Sequence, residues 1–152
     1  MKKVLIALDY DPTAKKIAEA GFSMAKAMGA EVTLLHVLVN PAMYASASAN
    51  MGVWQIESVD SFEAIQIFET ASQKFLEKVK KHLGDVEIKT IQKEGDFVEM
   101  ILETASEMKA DCIVMGTHSQ KWLENILIGS VTEEVLRKTT IPLYIVPTKK
   151  RD

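Results

Sequence analysis

The residues of this chain that could bind a ligand are concentrated in a polar loop over residues 115–131, which runs from an apolar strand into a helix. The loop is closed by Gly129 and Ser130. Glycine lets backbone amides come close to a ligand because it has no Cβ, and the N-terminus of the following helix offers unpaired N–H groups and a positive dipole end. The loop is therefore predicted to bind an anion, and phosphate is the expected one.

The composition limits the classes of function that the chain can serve. Its 152 residues suit a single domain, residues 1–152, and 47% apolar against 26% charged residues is typical of a soluble globular protein. The net charge of −3 argues against a nucleic-acid surface, and no apolar run is long enough to enter a membrane. The sole cysteine, Cys112, lies in an apolar run, which indicates a residue of the core. A single cysteine of this kind fits a protein in a reducing compartment, so a cytoplasmic location is expected.

Five short stretches have the pattern of β-strands. Four are mainly apolar, and the continuous apolar run at residues 4–8 is typical of a strand covered on both faces. The fifth largely alternates apolar and polar residues, which favours the edge of a sheet. The apolar runs are residues 4–8, 32–38, 112–115 and 142–146, and the alternating run is residues 86–91.

Apolar residues at helical spacing fill the stretches between these strands. The first helix is expected to be capped by Asp11, with Pro12 at its first position, and to end at Gly29. The others are residues 62–82, a segment capped by Asp96, and residues 131–139. In the helix over 62–82, the residues expected to face the core are Ile65, Ile67, Phe68, Ala71, Phe75, Val79 and Leu83.

Residues 39–61 have no periodicity and are rich in Ala, Ser, Asn and Met. Ordering such a segment costs entropy that its small side chains recover poorly, so a long, mobile loop that could shield a site is expected there.

The alternation of strands and helices predicts an α/β fold, a single domain with a doubly wound five-stranded parallel sheet and helices on both faces. Ligands of such sheets bind beyond the carboxyl ends of the strands, where the winding direction reverses. Asp9, Val37 and Gly116 all fall at predicted carboxyl ends. These three residues are therefore expected to lie near the polar loop.

The two common phosphate-binding fingerprints, GxxxxGK[ST] and a GxGxxG after the first strand, are absent. The chain has instead the spacing Gly116-x2-Ser119-x9-Gly129-Ser130, with VLIALD at residues 4–9, LLHV at 34–37 and IPLYIV at 141–146. On these residues the chain resembles, over its whole length, the universal stress protein family. The resemblance implies the adenine nucleotide alpha hydrolase-like fold of that family.

The ATP-binding branch of that family carries the motif G-x2-G-x9-G-[ST]. The resemblance implies contacts to ribose and phosphates from Gly116, Gly129 and Ser130, an acidic residue after the first strand at Asp9, and an adenine contact at Val37. It also implies a backbone contact at Val131, and His118 precedes the position of the second glycine. The implied cofactor is ATP or another adenine nucleotide, accompanied by Mg²⁺.

Ser119 departs from the motif, because the family pattern has its second glycine there. A Cβ at a position that needs positive φ or close approach to phosphate would weaken binding, with a cost on the order of 1 kcal/mol. A serine hydroxyl can also donate a hydrogen bond to phosphate. Both outcomes stay open from the sequence.

Three functional hypotheses follow. The first is a homodimeric regulatory or stress-response module that binds an adenine nucleotide. The second is a dimerisation module that has lost nucleotide binding through Ser119. The third is a slow ATP hydrolase, for which Asp9, His118 and Lys121 are the candidates, although they form no recognised catalytic constellation and no catalytic residue is assigned.

Several of these residues also have structural interpretations. Ser130 could serve only as a helix N-cap, and Val37 could be a core residue. His36 lies in an apolar strand and is expected to be buried and hydrogen-bonded.

The last strand is apolar along its length and would invite association at the edge of a sheet. The simplest cover is a second copy of the chain, and the resemblance also implies a homodimer through this strand. Its residues are Ile141, Pro142, Leu143, Tyr144, Ile145 and Val146.

Overall fold

The computed structural model describes residues 1–38, 61–117 and 129–148, and within these ranges the chain forms five strands and four helices. The elements, in chain order, are β1 (Lys3–Leu8), α1 (Ala14–Ala27), β2 (Glu31–Leu38), α2 (Ser61–Leu83), β3 (Lys89–Glu94), α3 (Phe97–Glu107), β4 (Cys112–Gly116), α4 (Ser130–Lys138) and β5 (Leu143–Val146). No helix in these ranges is long and apolar enough to cross a membrane. The expected mobile loop lies outside them, except that its last residue, Ser61, already belongs to α2.

The strands form one parallel sheet in the order β3-β2-β1-β4-β5. Val4 of β1 pairs with Val32 of β2 on one side and with Cys112 of β4 on the other. The winding direction therefore reverses between β1 and β4, so the predicted doubly wound α/β fold is confirmed.

Helices cover both faces of the sheet because side chains of each inner strand alternate between two apolar cores. On one face Val4 and Ile6 pack with residues of α1 and α2, among them Ala18 and Leu76. On the other face Leu5 packs with residues of α3 and α4. Cys112 is buried in the first core as a free thiol, and burial raises its pKa.

Two of the expected helix boundaries are confirmed and one is wrong. Gly29, which follows the C-cap residue Met28 of α1, has a φ of 64°, and the side chain of Asp96 caps α3 by accepting a hydrogen bond from the N–H of Glu99 at 3.0 Å. Asp11 does not cap α1, which begins at Ala14. Its Oδ1 atom instead accepts from both the N–H and the hydroxyl of Thr13, each at 2.8 Å. This local turn competes with the helix and delays its start.

The predicted inner face of α2 is wrong in its first half. Ile67 is 64% exposed and Phe68 is 42% exposed, whereas the buried residues are Ser72, Leu76 and Val79. A helix of 23 residues is about 34 Å long, and the eight-residue strand β2 is about 26 Å long. Because α2 is longer than β2, this strand cannot cover the whole length of the helix, and Ile67 and Phe68 lie in a part that stays exposed.

The strand predicted over 86–91 is shifted to Lys89–Glu94, although its place at the edge of the sheet is confirmed. Val86 is 83% exposed, because Asp85 starts a turn in which its Oδ1 atom accepts the N–H of Glu87 at 2.9 Å. The first residues of the alternating run therefore belong to this turn, and the strand begins after it, at Lys89.

Candidate functional site

A cleft of about 290 Å³ opens where the carboxyl ends of β1 and β4 lie side by side. Its lining comes from the strands β1, β2 and β4, the loop after β1, and the helices α1, α3 and α4 with the N-cap residue of α4. The described lining residues are Ala7, Leu8, Asp9, Asp11, Thr13, Ile17, Leu35, Val37, Phe97, Ile101, Met115, Gly116, Gly129, Ser130, Val131 and Thr132.

Six of the eight residues predicted for the site line this one cleft. They are Asp9, Val37, Gly116, Gly129, Ser130 and Val131. The other two, His118 and Ser119, lie outside the described residues. The structure thus brings the predicted residues together, and their roles toward a ligand stay predictions.

The N-terminus of α4 faces this cleft. Gly129 is the N-cap residue, with φ −67° and ψ 159°, and its carbonyl accepts the N–H of Glu133 at 2.9 Å. The N–H groups of Ser130, Val131 and Thr132 belong to the first turn, where an α-helix has no intrahelical acceptor. These groups and the positive end of the helix dipole suit an anion.

Ser130 is the first residue of α4 and not its N-cap, so the purely structural interpretation of this serine as a cap is wrong. Side-chain and main-chain bonds hold the start of α4 against β4. The hydroxyl of Thr132 donates to the carbonyl of Gly116 at 2.8 Å, and the N–H of Gly129 donates to the carbonyl of Thr117. Thr132, which the sequence did not single out, therefore fixes the helix end at the cleft.

Gly116 is required by protein packing as well as by any approach of a ligand. A Cβ at this position would lie 2.5 Å from Cδ1 of Ile17 and 2.9 Å from Cγ2 of Thr148. The predicted reason for the glycine, an open path to a ligand, was incomplete, because α1 occupies the space that a side chain would need.

The loop between β1 and α1 brings two carboxylates to the cleft. Asp9 is half-buried, and its Oδ1 atom accepts the N–H of Tyr10 at 2.8 Å. Asp11 is committed to the turn with Thr13. The described lining residues include these two acids and no basic side chain. A carboxylate can accept hydrogen bonds from ligand hydroxyls or contribute to cation binding, whereas the start of α4 is the better place for phosphate.

His36 lies beside the cleft but faces the other side of the sheet. Its Nδ1 atom is 2.6 Å from the hydroxyl of Ser72, and its ring packs against those of Tyr10 and Phe75. Burial lowers the pKa of His36, and the charge of Asp9 opposes this shift. The expectation of a buried, hydrogen-bonded histidine is confirmed.

The sequence reasoning missed the apolar walls of the cleft. Leu35, Phe97, Ile101 and Met115 line it, yet by type and spacing they are indistinguishable from core residues. Phe97 follows the cap residue Asp96, but nothing local indicates that its helix faces a cavity. In the described residues no group of three or more His, Cys, Asp or Glu side chains is arranged to hold a metal ion.

Comparison with known proteins assigns the family. The sequence model of the universal stress protein family matches residues 1–147. Universal stress protein MJ0531 of Methanocaldococcus jannaschii is 33% identical over 154 residues, which cover 99% of this chain and 85% of that protein. Universal stress protein MJ0577 of the same organism is 33% identical over 156 residues, which cover 97% of this chain and 96% of that protein.

Solved structures agree in fold. The structure of MJ0577 superimposes with a TM-score of 0.77 at 28% identity and covers 99% of this chain and 98% of that chain. A universal stress protein in complex with cAMP has a TM-score of 0.64 at 20% identity, covering 97% and 98%. The protein from Archaeoglobus fulgidus in complex with dAMP has a TM-score of 0.61 at 19% identity, covering 95% and 97%. The chain belongs to the universal stress protein family.

Proposed function

We propose that this chain, as a member of the universal stress protein family, binds an adenine nucleotide in the cleft between β1 and β4 and acts as a homodimeric regulatory or stress-response module. The observation that carries the proposal is the meeting of Asp9, Val37 and the N-terminus of α4 around one cavity. ATP is the first ligand to test, since two proteins of the same fold were solved with the adenine nucleotides cAMP and dAMP.

The chemistry of the lining suggests how a nucleotide would lie. Phosphate oxygens would accept hydrogen bonds from the free N–H groups at the start of α4, where Gly129 and Ser130 lie, because those groups and the helix dipole favour negative charge. The ribose hydroxyls would donate to the Asp9 carboxylate, and the adenine ring would pack on Val37. The cavity of about 290 Å³ is near the lower end of ligand-pocket sizes.

Mg²⁺ would fit this arrangement as a companion of the phosphates. Such an ion keeps several waters and is usually bound by one or two carboxylates together with phosphate oxygens. Asp9 is the better candidate, because the Oδ1 atom of Asp11 already accepts two hydrogen bonds from Thr13.

The decisive experiment identifies the bound molecule. Purified protein is denatured, the released small molecules are separated by ion-exchange chromatography, and the refolded or ligand-free protein is titrated with ATP and Mg²⁺ by calorimetry. Co-purified ATP or ADP, or saturable uptake, supports the proposal. Wild-type protein that takes up no nucleotide, while Ser119→Gly does, would instead identify a module that has lost its ligand.

Two variants locate the ligand within the cleft. Gly129→Val should abolish uptake, because its side chain would stand over the amides at the start of α4, and its φ of −67° is open to any residue. Asp9→Ala should weaken uptake, while Glu103→Ala, the loss of an exposed carboxylate on α3, should not. Full affinity in Gly129→Val would refute this position for the phosphates, and steady phosphate release that Asp9→Ala abolishes would indicate a slow hydrolase.

The proposed homodimer uses the free edge of β5. Among the described residues this strand pairs with β4 alone, and Tyr144 is 41% exposed. The opposite edge, β3, is blunted by charged residues such as Lys89 and Lys93, which form ion pairs with Glu31 and Glu107. An apolar edge without such protection is suited to a second copy of the chain.

A negative charge placed at each edge of the sheet tests this interface. Tyr144→Glu should convert the dimer to a monomer in light scattering, because Tyr144 is exposed on β5 and a charge there would enter the contact between the two copies. Lys93→Glu, which places a negative charge on the other edge, should leave the mass unchanged. A dimer that survives Tyr144→Glu would exclude this edge.

We also propose a cytoplasmic location, where the buried free thiol of Cys112 would stay reduced.

A further inference from the structure

We propose that Tyr10 is a positioning residue for the cleft, because its ring docks the β1–α1 loop (residues 9–13) on the aromatic cluster, defined as the rings of Tyr10, His36 and Phe75. This docking holds Asp9 at the cleft. The inference rests on the proposed function, in which Asp9 receives the ribose of the nucleotide.

The internal hydrogen bonds of the loop fix its shape. The N–H of Tyr10 donates to Oδ1 of Asp9 at 2.8 Å, and the N–H of Asp11 donates to the carbonyl of Asp9 at 2.8 Å. The N–H of Thr13 donates to Oδ1 of Asp11 at 2.8 Å, and the N–H of Ala14 donates to the carbonyl of Asp11 at 2.9 Å. Because all four acceptors belong to the loop itself, these bonds leave its position on the sheet undetermined.

The ring of Tyr10 supplies the contact with other elements. Its centroid is 4.5 Å from that of His36, in an edge-to-face arrangement at 73°, and 4.8 Å from that of Phe75. These separations are in the favourable range for aromatic pairs. Tyr10 as a whole is 52% exposed, so its ring covers the outer side of the aromatic cluster and is not part of the core.

The surface that receives the Tyr10 ring is formed by residues of β2 and α2 that contact each other. His36 of β2 and Ser72 of α2 are both buried, and their 2.6 Å hydrogen bond joins strand to helix. The centroid of the Phe75 ring lies 5.3 Å from that of His36, and the two rings together form the surface on which Tyr10 packs. Asp9 directly follows the last residue of β1, and its neighbour Tyr10 adds contacts with β2 and α2, which lie far from it in sequence.

The expected consequence is a separation of affinity from stability. Loss of an exposed ring removes little buried surface, so the fold should persist. The loop would be held less firmly against the sheet, its internal hydrogen bonds would open more often, and Asp9 would meet the ribose less often in the right place.

Nucleotide titration of matched variants tests this. Tyr10→Ala should weaken affinity about tenfold, since two ring contacts are lost. Tyr10→Phe keeps the ring and should stay within about twofold of wild type. Phe22→Ala, at a half-buried ring on α1 outside the cleft lining, should lower the midpoint of urea unfolding without changing affinity.

A second measurement needs no nucleotide. Hydrogen exchange at the amides of Asp11, Thr13 and Ala14 should accelerate in Tyr10→Ala and not in Tyr10→Phe, while the amides of β2 keep their wild-type rates. If wild-type protein binds no nucleotide, the proposed function fails and exchange alone decides whether Tyr10 docks the loop.

Three results would overturn the inference. One is wild-type exchange rates in Tyr10→Ala, which would mean that the ring does not hold the loop. Another is wild-type affinity in that variant, which would mean that docking does not matter to the cleft. The third is failure of Tyr10→Phe to restore affinity, which would assign the effect to the hydroxyl group.

Discussion

The carboxyl end of β2 is built differently on its two faces. His36 and Val37 are neighbours in sequence, and because side chains of a strand alternate, they point to opposite sides of the sheet. On the side of His36 the aromatic cluster fills the space, and the polar atoms of His36 and Ser72 satisfy each other. On the side of Val37 the cleft stays open.

The difference separates polar groups that have partners inside the fold from polar groups that line the cavity. In the described residues no buried side-chain N or O atom lacks a hydrogen-bond partner. The His36–Ser72 pair belongs to this satisfied interior. The amides at the start of α4 instead point to a cavity and have no intrahelical acceptor, which leaves them available to a ligand.

The largest expected effect is on the filled side. His36→Ala should lower the free energy of unfolding by about 2–4 kcal/mol, because it leaves a cavity between rings and removes the partner of Ser72. Urea unfolding measures this. The double variant His36→Phe/Ser72→Ala, which fills the space and removes both polar partners, should recover most of the loss. A cost for His36→Ala below about 1 kcal/mol would mean that the cluster is not a packed unit.

The next effect is at the carboxyl end of β4, where Gly116 lines the cleft and α1 packs against it. Gly116→Ala should cost about 1–3 kcal/mol of unfolding free energy, since its Cβ would overlap Cδ1 of Ile17. Adding Ile17→Val deletes that methyl group and should restore part of the stability in thermal unfolding. If Gly116→Ala alone is as stable as wild type, the glycine is not required by packing.

The pH dependence of stability should distinguish the two sides next. Burial holds the pKa of His36 below its ordinary value of 6.5, so the unfolded chain binds the proton more readily. The contribution of neutral His36 is therefore complete above about pH 6.5 and is lost as the pH falls below it, by up to about 1.4 kcal/mol per pH unit.

Urea unfolding between about pH 7.5 and about pH 5, from about one unit above to about 1.5 units below the ordinary histidine pKa, measures this slope. In His36→Phe the slope of unfolding free energy against pH should fall by the contribution of one titrating proton. In Val37→Ala, a substitution on the other face, the slope should stay as in wild type. Equal slopes in wild type and His36→Phe would contradict the assignment.

The smallest expected effect concerns the start of α4. Thr132→Val removes the 2.8 Å bond to the carbonyl of Gly116 and should cost about 0.5–1.5 kcal/mol. Nucleotide affinity should fall as well, because the amides of α4 lose an anchor. Thr104→Val removes a comparable bond, to the Met100 carbonyl at 2.6 Å, away from the cleft lining. It should match the stability loss in thermal unfolding without the loss of affinity, and equal affinities in the two variants would remove Thr132 from the site.

Local signals in the sequence were sufficient for most of the fold. Strand cores were found from apolar runs, and Asp96 and Gly29 marked helix ends because caps depend on a few neighbouring residues. The errors have local and non-local causes. Asp85 and Asp11 form turns that displaced the starts of β3 and α1. The apolar residues Ile67 and Phe68 are exposed on α2, a helix that is longer than the strand it covers.

The candidate site was predictable in outline because parallel strands bring their carboxyl ends to one edge. That rule placed Asp9, Val37 and Gly116 near the loop closed by Gly129 without any knowledge of distances. It did not find Phe97 and Ile101, since a wall of a cavity and a core residue have the same composition. His118 and Ser119 lie outside the described residues, and their roles stay predictions.

By itself, the sequence determined the order of strands and helices, the doubly wound sheet and the edge where a ligand would bind, because these depend on periodicity and on the handedness of crossovers. Only the tertiary structure decided which face of β2 is filled and which is open, why Gly116 must be glycine, and what holds Tyr10. Those properties depend on distances between residues far apart in the chain, such as His36 and Ser72, and no local pattern encodes such distances.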